Sequence, residues 1–420
     1  MLAAAAADSG AAHAGGDADG AALDSSEWAV VTFPDVGTNI KDLPGADILH
    51  PKKHVTDIRL ALAPALIEGP TGGNGDLLRF YNTLFRDDNT GDTFLFGPTL
   101  RAKAGDRLTL GIKNEMIQGP DKHASGGGFY HPMDTNLHTH GLHVSPGTMD
   151  QAVPVKYTQG DNVLITAPAR HSADEEPASL KYTIDIPEYH LPGQQRHSHP
   201  HHHGGTTLQT TTASFFIIVE DDPRWLPSSG GCKPVREAIS EAEEVLLHLE
   251  VMIFGAPRPP YPGANARITD ANIQVYSALS TPTNRLCCGT EGEPDANSLK
   301  LTGSMSGMDF VLVNGGWQPV LDMTAGKWQR WRMLHSGIKR FLTLTVVEEG
   351  TFIRAKDCEV MLLAKDGVYP MKIPRTVDEV FITSGGRAEV LVRCDRPGTY
   401  TLTSHLDAQF PLGRNFTESK

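Results

Sequence analysis

The chain repeatedly presents strand-length runs with period-two patterning, separated by Gly, Pro, Asn and Asp. In its first half these are TLRAKAGDRLTLGIKNE (99–115), DNVLITAP (161–168), KYTIDIP (181–187) and SFFIIVED (214–221). Residues two apart on a strand share a face, so such runs fold by burying one face against another sheet. Short alternating runs with frequent turn residues predict a sandwich or barrel rather than a helical protein. Composition agrees: 42 Gly and 29 Pro accompany 39% hydrophobic and 21% charged residues. At 420 residues there is chain enough for two or three domains, each with its own core.

A second series follows: EVLLHLEVMIF (244–254), FVLVNG (310–315), WQRWRML (328–334), FLTLTVV (341–347), AEVLVRC (388–394) and TYTLTS (399–404). Between the two series DPRWLPSSGG breaks structure, and KPVREAISEAEE reads as a short linking helix. GPTLRAKAGDRL and QPVLDMTAGKWQ match at a constant offset, Pro98/Pro319, Leu100/Leu321, Ala104/Ala325 and Gly105/Gly326, each just before a strand-like run. The expected division is a leader over 1–27, a first domain over 28–222, a linker over 223–244, a second domain over 245–405 and a tail over 406–420. The leader lacks Lys and Arg and its apolar run stops at Asp8, so it reads as disordered rather than as a secretion signal, which leaves the compartment open.

A formal charge of -13 weighs against nucleic acid or an anionic membrane as partner, and no apolar run is long enough to span a bilayer. The five cysteines have no CxxC spacing, which leaves buried thiols or one or two disulfides of undetermined pairing. No G-x-S-x-G, P-loop or HExxH is present. Trp317, Trp328, Trp331 and His335 are read as structural.

Histidine carries the chemistry. Twelve of the 18 histidines fall between His123 and His203. In NLHTHGLHVSP, His138 and His140 are two apart, and in RHSHPHHHGG so are His199 and His201. A strand turns both imidazoles of such a pair to one ion, and four imidazoles suit Cu, Zn, Fe or Ni, with Cu(II) bound most tightly. Either pair alone is weak, and HHH at 201–203 alone reads as solvated low complexity; together, each followed by Gly and set against strand-like sequence, they point to a metal site.

NLHTHGLHVSP resembles the first copper motif of the multicopper oxidases, the laccase, bilirubin-oxidase and spore-coat-oxidase group. HPHHHGGTTLQTTTASFFIIVED resembles their second motif, and LVNGGWQPVLDMTAGKWQRWRMLHSG, AKDGVYP and GGRAEVLVRCDRPGTYTLTS are similar to their middle domain. The resemblance implies an all-β fold of two cupredoxin-like Greek-key β-sandwich domains in tandem with a short helical linker. It implies copper, with His138 as a type 2 ligand and His140, His199 and His201 as type 3 ligands of one trinuclear cluster where dioxygen is reduced to water at the expense of a small reducing substrate. His203 and Gly204 would support the motif, and Asp150 would assist proton delivery. The family is usually secreted or periplasmic.

Two departures stand out. QQRHS replaces the aromatic residues expected before the second motif, so His197-Ser198-His199 competes as the ligand pair. No cysteine has a His neighbour, as type 1 copper requires, and the sixteen residues after Ser404 cannot make a third domain. The expectation is an incomplete oxidase, inactive alone; the alternatives are a two-domain copper-binding protein without oxidase activity or an oligomer whose other chain completes the cluster.

Overall fold

The computed structural model describes residues 29–32, 34–35, 37–51, 54–71, 77–116, 134–147, 157–172, 174–191, 194–202, 214–220, 233–253, 309–337, 341–351, 353–370 and 374–404. In chain order the first half forms β1 (Ala29–Thr32), helix α1 (Ala46–Leu49), β2 (Asp57–Thr71), β3 (Leu77–Asp87), β4 (Thr93–Phe94), β5 (Leu100–Ala102), β6 (Arg107–Asn114), β7 (His138–His140), β8 (Tyr157–Gln159), β9 (Ala178–Asp185), β10 (Gln194–His199) and β11 (Phe215–Val219). One sheet runs β4-β3-β2-β6-β9-β8 with β1 beside β2, and the other runs β5-β11-β10-β7. Leu108, Leu110 and Ile112 of β6 and Leu180, Tyr182 and Ile184 of β9 face Phe215, Ile217 and Val219 of β11 in the core between them. Each such fully buried aliphatic side chain contributes about 1.5–3 kcal/mol.

Helix α2 (Lys233–Glu241) stands where the linking helix is expected. The second sandwich comprises β12 (Glu243–Ile253), β13 (Asp309–Val313), β14 (Gly316–Trp317), β15 (Gln329–His335), β16 (Leu342–Glu348), β17 (Cys358–Lys365), β18 (Arg375–Thr376), β19 (Val380–Ile382), β20 (Arg387–Cys394) and β21 (Tyr400–Ser404). Its sheets run β14-β13-β12-β15-β20-β17-β18 and β19-β16-β21. Apart from two short helices, the described residues are all-β, built as two sandwiches.

The internal similarity has a structural counterpart. Gly105 and Gly326 both sit at positive φ (90° and 73°), in turns that lead into β6 and β15. Those strands occupy equivalent places: β6 pairs parallel with β2, and β15 pairs parallel with β12. The turn at Gly105 also divides 99–115 into β5 and β6.

DNVLITAP differs from expectation. It is loop, with one isolated bridge from Ala167 to Thr135, and Leu164 is 67% exposed. Its apolar alternation fills no sheet; its first residues, Asp161 and Asn162, turn inward and are buried. Ile40 and Leu43, although they precede the first sandwich's main strands, pack into the core of the second.

The sandwiches share a seam. β11 is buried on both faces: Phe215, Ile217 and Val219 enter the first core, while Phe216 and Ile218 pack with Leu49, Leu95 and Phe96 against Leu246, Leu312 and Leu334 of the second sandwich. This accounts for the nearly continuous apolar run FFIIV, since a strand covered on both sides has no polar face. Trp331 lies in the second core, and Trp328 stacks under Arg393, 4.5 Å from its ring centroid.

Cys358 and Cys394, directly opposite each other on β17 and β20, form a buried disulfide. Cys232, Cys287 and Cys288 lie outside the described residues. Replacing Cys358 and Cys394 together by Ala is expected to lower the unfolding free energy by about 2–4 kcal/mol, read as a shift of the urea midpoint at constant slope.

Candidate metal centre

The site rests on one strand pairing. β7 and β10 run antiparallel with His138 opposite His199, Thr139 opposite Ser198 and His140 opposite His197. Alternation puts all four imidazoles on one face of this two-strand ladder. Ring centroids confirm it: His138 is 5.7 Å from His140 and 5.4 Å from His199, and His140 is 5.6 Å from His199. Among the described residues, one group offers donor atoms that all lie within 4.8 Å of one another: His138, His140 and His199.

Fixed hydrogen bonds decide which nitrogens are free to bind a cation. His138 Nδ1–H donates to Asp161 Oδ2 (2.8 Å), while Thr139 N–H donates to Asp161 Oδ1 (3.0 Å), so the carboxylate orients the ring and leaves Nε2 as the lone pair. His199 Nδ1–H donates to the Pro200 carbonyl (2.7 Å), which likewise frees Nε2. That Nε2 faces His140 Nδ1 at 3.4 Å. Two imidazole lone pairs turned toward one point, with a third beside them, fit a cation that prefers nitrogen.

His201 lies beyond the end of β10, exposed, with its ring 5.1 Å from that of His138. Asn136 holds this segment in place: its Oδ1 accepts the N–H groups of His201 (2.9 Å) and His202 (2.6 Å), and its Nδ2 donates to the carbonyls of Val163 (2.7 Å) and Ile165 (3.0 Å). One side chain thus ties the second histidine motif to the loop that carries Asp161. His201 stands next to the compact group of three without joining it. His197, directly opposite His140, is 2% exposed and stacks on its ring at 4.5 Å, and also on His199 at 5.2 Å. Asp150, His203 and Gly204 lie outside the described residues.

Burial favours the neutral form of His140, His197, His199 and His201. His140 is held down to about 4 by burial first and by the Arg387 guanidinium second; burial likewise holds His199 at about 4. His197 is pushed well below the ordinary imidazole range by complete burial, and His201 is lowered less. Burial would raise the Asp161 carboxyl, but the hydrogen bond from His138 and those from Thr139 outweigh it, and Asp161 stays ionised. Neutral imidazoles backed by a carboxylate are the protonation states a metal ion requires.

The other buried histidines differ in kind. His190 accepts the His143 N–H at Nε2 (3.2 Å) and donates from Nδ1 to the Leu191 carbonyl (2.9 Å), so both ring nitrogens are used. His335 is fully buried, and its Nδ1 accepts the Gly337 N–H (3.2 Å).

Residues 290–418 match the family model described as Multicopper oxidase. The matched residues belong to the second half of the chain, whereas the histidine group lies in the first. Solved multicopper oxidases are similar in fold. That of Campylobacter jejuni, described as a metallo-oxidase, is 18% identical, with 90% of this chain and 56% of that one covered at a TM-score of 0.49. That of Aquifex aeolicus is 14% identical over 90% and 59% at 0.48, and the blue copper oxidase of Nitrosomonas europaea is 15% identical over 84% and 79% at 0.47. The chain spans between 56% and 61% of the first three solved multicopper oxidases it matches. No curated protein sequence matches it. No helix among the described residues is long and apolar enough to cross a membrane.

The Asp161 carboxylate, which spacing alone does not reveal, is expected to control affinity at this histidine group. Asp161→Ala should weaken copper binding about 10–100-fold, measured by calorimetric titration, while far-ultraviolet circular dichroism stays that of the parent.

Proposed function

We propose that the chain is a copper-binding oxidoreductase component whose first sandwich holds copper through His138, His140, His199 and His201. The observation that carries this reading is the convergence of the His138, His140 and His199 donor atoms within 4.8 Å. His138 takes the type 2 role, and His140, His199 and His201 the type 3 role, of a trinuclear cluster that reduces dioxygen with electrons from a small reducing substrate. Copper bound here supplies one-electron redox chemistry that no side chain has. The residues of the chain orient the ligands: Asp161 fixes the proton of His138 on Nδ1, the Pro200 carbonyl fixes that of His199, and Asn136 places the backbone that presents His201. Asp150 is the candidate for proton delivery to oxygen.

No cysteine in these 420 residues has a histidine neighbour, so the sequence holds no type 1 copper motif to admit electrons. That observation favours a second reading, a copper-binding protein without oxidase activity of its own. Both readings predict copper on the purified chain without phenol oxidation; turnover of phenols by the 420-residue chain would overturn the incomplete-cluster account. Electron transfer to added copper-oxidase domains carrying a type 1 centre separates the first reading from the second.

Replacing His138, His140, His199 and His201 together by Ala is expected to abolish stoichiometric copper, read by atomic absorption after gel filtration. Unchanged copper would move the site to His197, His202 or His203.

A pH dependence follows from the depressed imidazoles. The unfolded chain takes up protons near the ordinary histidine value of 6.5, while folded His140 and His199 do so only at about 4. The unfolded state therefore binds more protons between these values, and the stability of the copper-free chain falls as pH drops from about 6.5 to about 4. Thermal unfolding from pH 8 to pH 4 should show a plateau above about 7 and a decline below it. The His140→Phe/His199→Phe chain should decline less over that interval.

A further inference from the structure

The second sandwich sets a buried cation beside the histidine group. The turn between β19 and β20 brings Gly385 against His140, so that a Cβ there would stand 3.5 Å from His140 Cε1. Arg387, 3% exposed, donates from Nη1 to the Gly385 carbonyl (2.8 Å) and from Nη2 to the Asp366 carbonyl (3.0 Å). The same Nη2 lies 2.8 Å from where a Cβ would stand on Gly141, the residue that follows His140. The guanidinium is thus clasped between two glycines that both adjoin His140.

Its charge is poorly offset. The groups it donates to are neutral carbonyls, and the carboxylate it pairs with, Asp366, is 3.9 Å from Nη1 and 54% exposed. Arg196 enters the same seam from β10, with Nη1 on the Asp366 carbonyl (3.2 Å). Glu389, the buried carboxylate nearby, is engaged by Arg330 (2.6 Å) and Arg332 (3.6 Å). Lys365 adds a further cation, turned toward the Phe381 carbonyl. Among the described residues, cationic side chains outnumber carboxylates in the seam beside His140.

We infer that Arg387, although it belongs to the second sandwich, sets the preference of the first sandwich's histidine site for Cu(I) over Cu(II). The inference rests on the copper reading of those histidines. Oxidation of bound Cu(I) to Cu(II) releases one electron and adds one positive charge to the site. A fixed cation in a desolvated seam opposes that added charge, and so favours the reduced ion. Arg387 touches no ligand nitrogen; it is a positioning residue that acts through its charge.

The test measures Cu(I) affinity of the full chain by competition with bicinchoninate under ascorbate and without oxygen, and Cu(II) affinity by competition with nitrilotriacetate. Arg387→Gln is expected to lower the ratio of Cu(I) to Cu(II) affinity roughly three- to tenfold, and Arg387→Lys to keep it near that of the parent. Asp366→Asn should raise the ratio. Asp366 has φ 49°, which Asn also adopts, and Asn keeps the oxygen that accepts the Arg387 N–H, so this variant should fold even if Arg387→Gln does not. Stoichiometric copper with an unchanged ratio in Asp366→Asn, or a shift in the opposite direction, overturns the inference. A parent chain that binds neither ion overturns the copper reading itself.

Discussion

The register between β7 and β10 is the constraint on which the rest of the site depends. It sets His138 opposite His199 and His140 opposite His197, and because side chains alternate, the four imidazoles share a face only in that register. A slip by one residue would turn His197 and His199 to the face that carries Phe215 and Ile217, toward the first core, and bring Arg196 and Ser198 to the site. Asn136, just before β7, holds the register by binding the backbone just after β10.

β10 is therefore a strand with two tasks. One face carries His197 and His199, and the other sends Arg196 into the second sandwich. That arginine explains two glycines that the histidine motifs alone do not. A Cβ on Gly367 would coincide with its guanidinium, and one on Gly141 would come within 3.0 Å of its Cδ. Both glycines also lie at positive φ, 75° and 88°, where an L side chain is strained in any case. The seam combines this polar half with the apolar packing of Phe216 and Ile218, so docking of the sandwiches and placement of the histidines are one arrangement.

Much of the architecture was legible from period and punctuation. KYTIDIP, SFFIIVED, WQRWRML, FLTLTVV, AEVLVRC and TYTLTS all lie within or across strands of the structure, because each alternates or stays apolar for a core that the fold provides. QQRHSH was not legible as a strand: its side chains serve a site and a charged seam, so it lacks apolar periodicity. DNVLITAP misled for the converse reason, since its apolar residues line a loop whose function lies in Asp161 and Asn162. Of the histidines, the i, i+2 spacing paired His138 with His140 and His199 with His201; in the structure the first three come together and His201 stands at their edge. That spacing could not reveal Asp161, Asn136 or Arg387: Asp161 meets His138 from 23 positions away, Asn136 holds His201 across 65, and Arg387 comes from the second sandwich. The disulfide was equally hidden, because cross-strand register rather than cysteine spacing pairs Cys358 with Cys394.

The close fit of Arg196 over Gly367 has a consequence for the order of assembly. β10 cannot reach its final burial until the turn at Gly367 is formed, and that turn comes much later in the chain, since Arg196 and Asp366 are 170 positions apart. Contacts of such separation form late, after local hairpins have closed. An emerging chain thus lacks a mature metal-binding pocket during most of its synthesis, and acquires one only when both halves have come together.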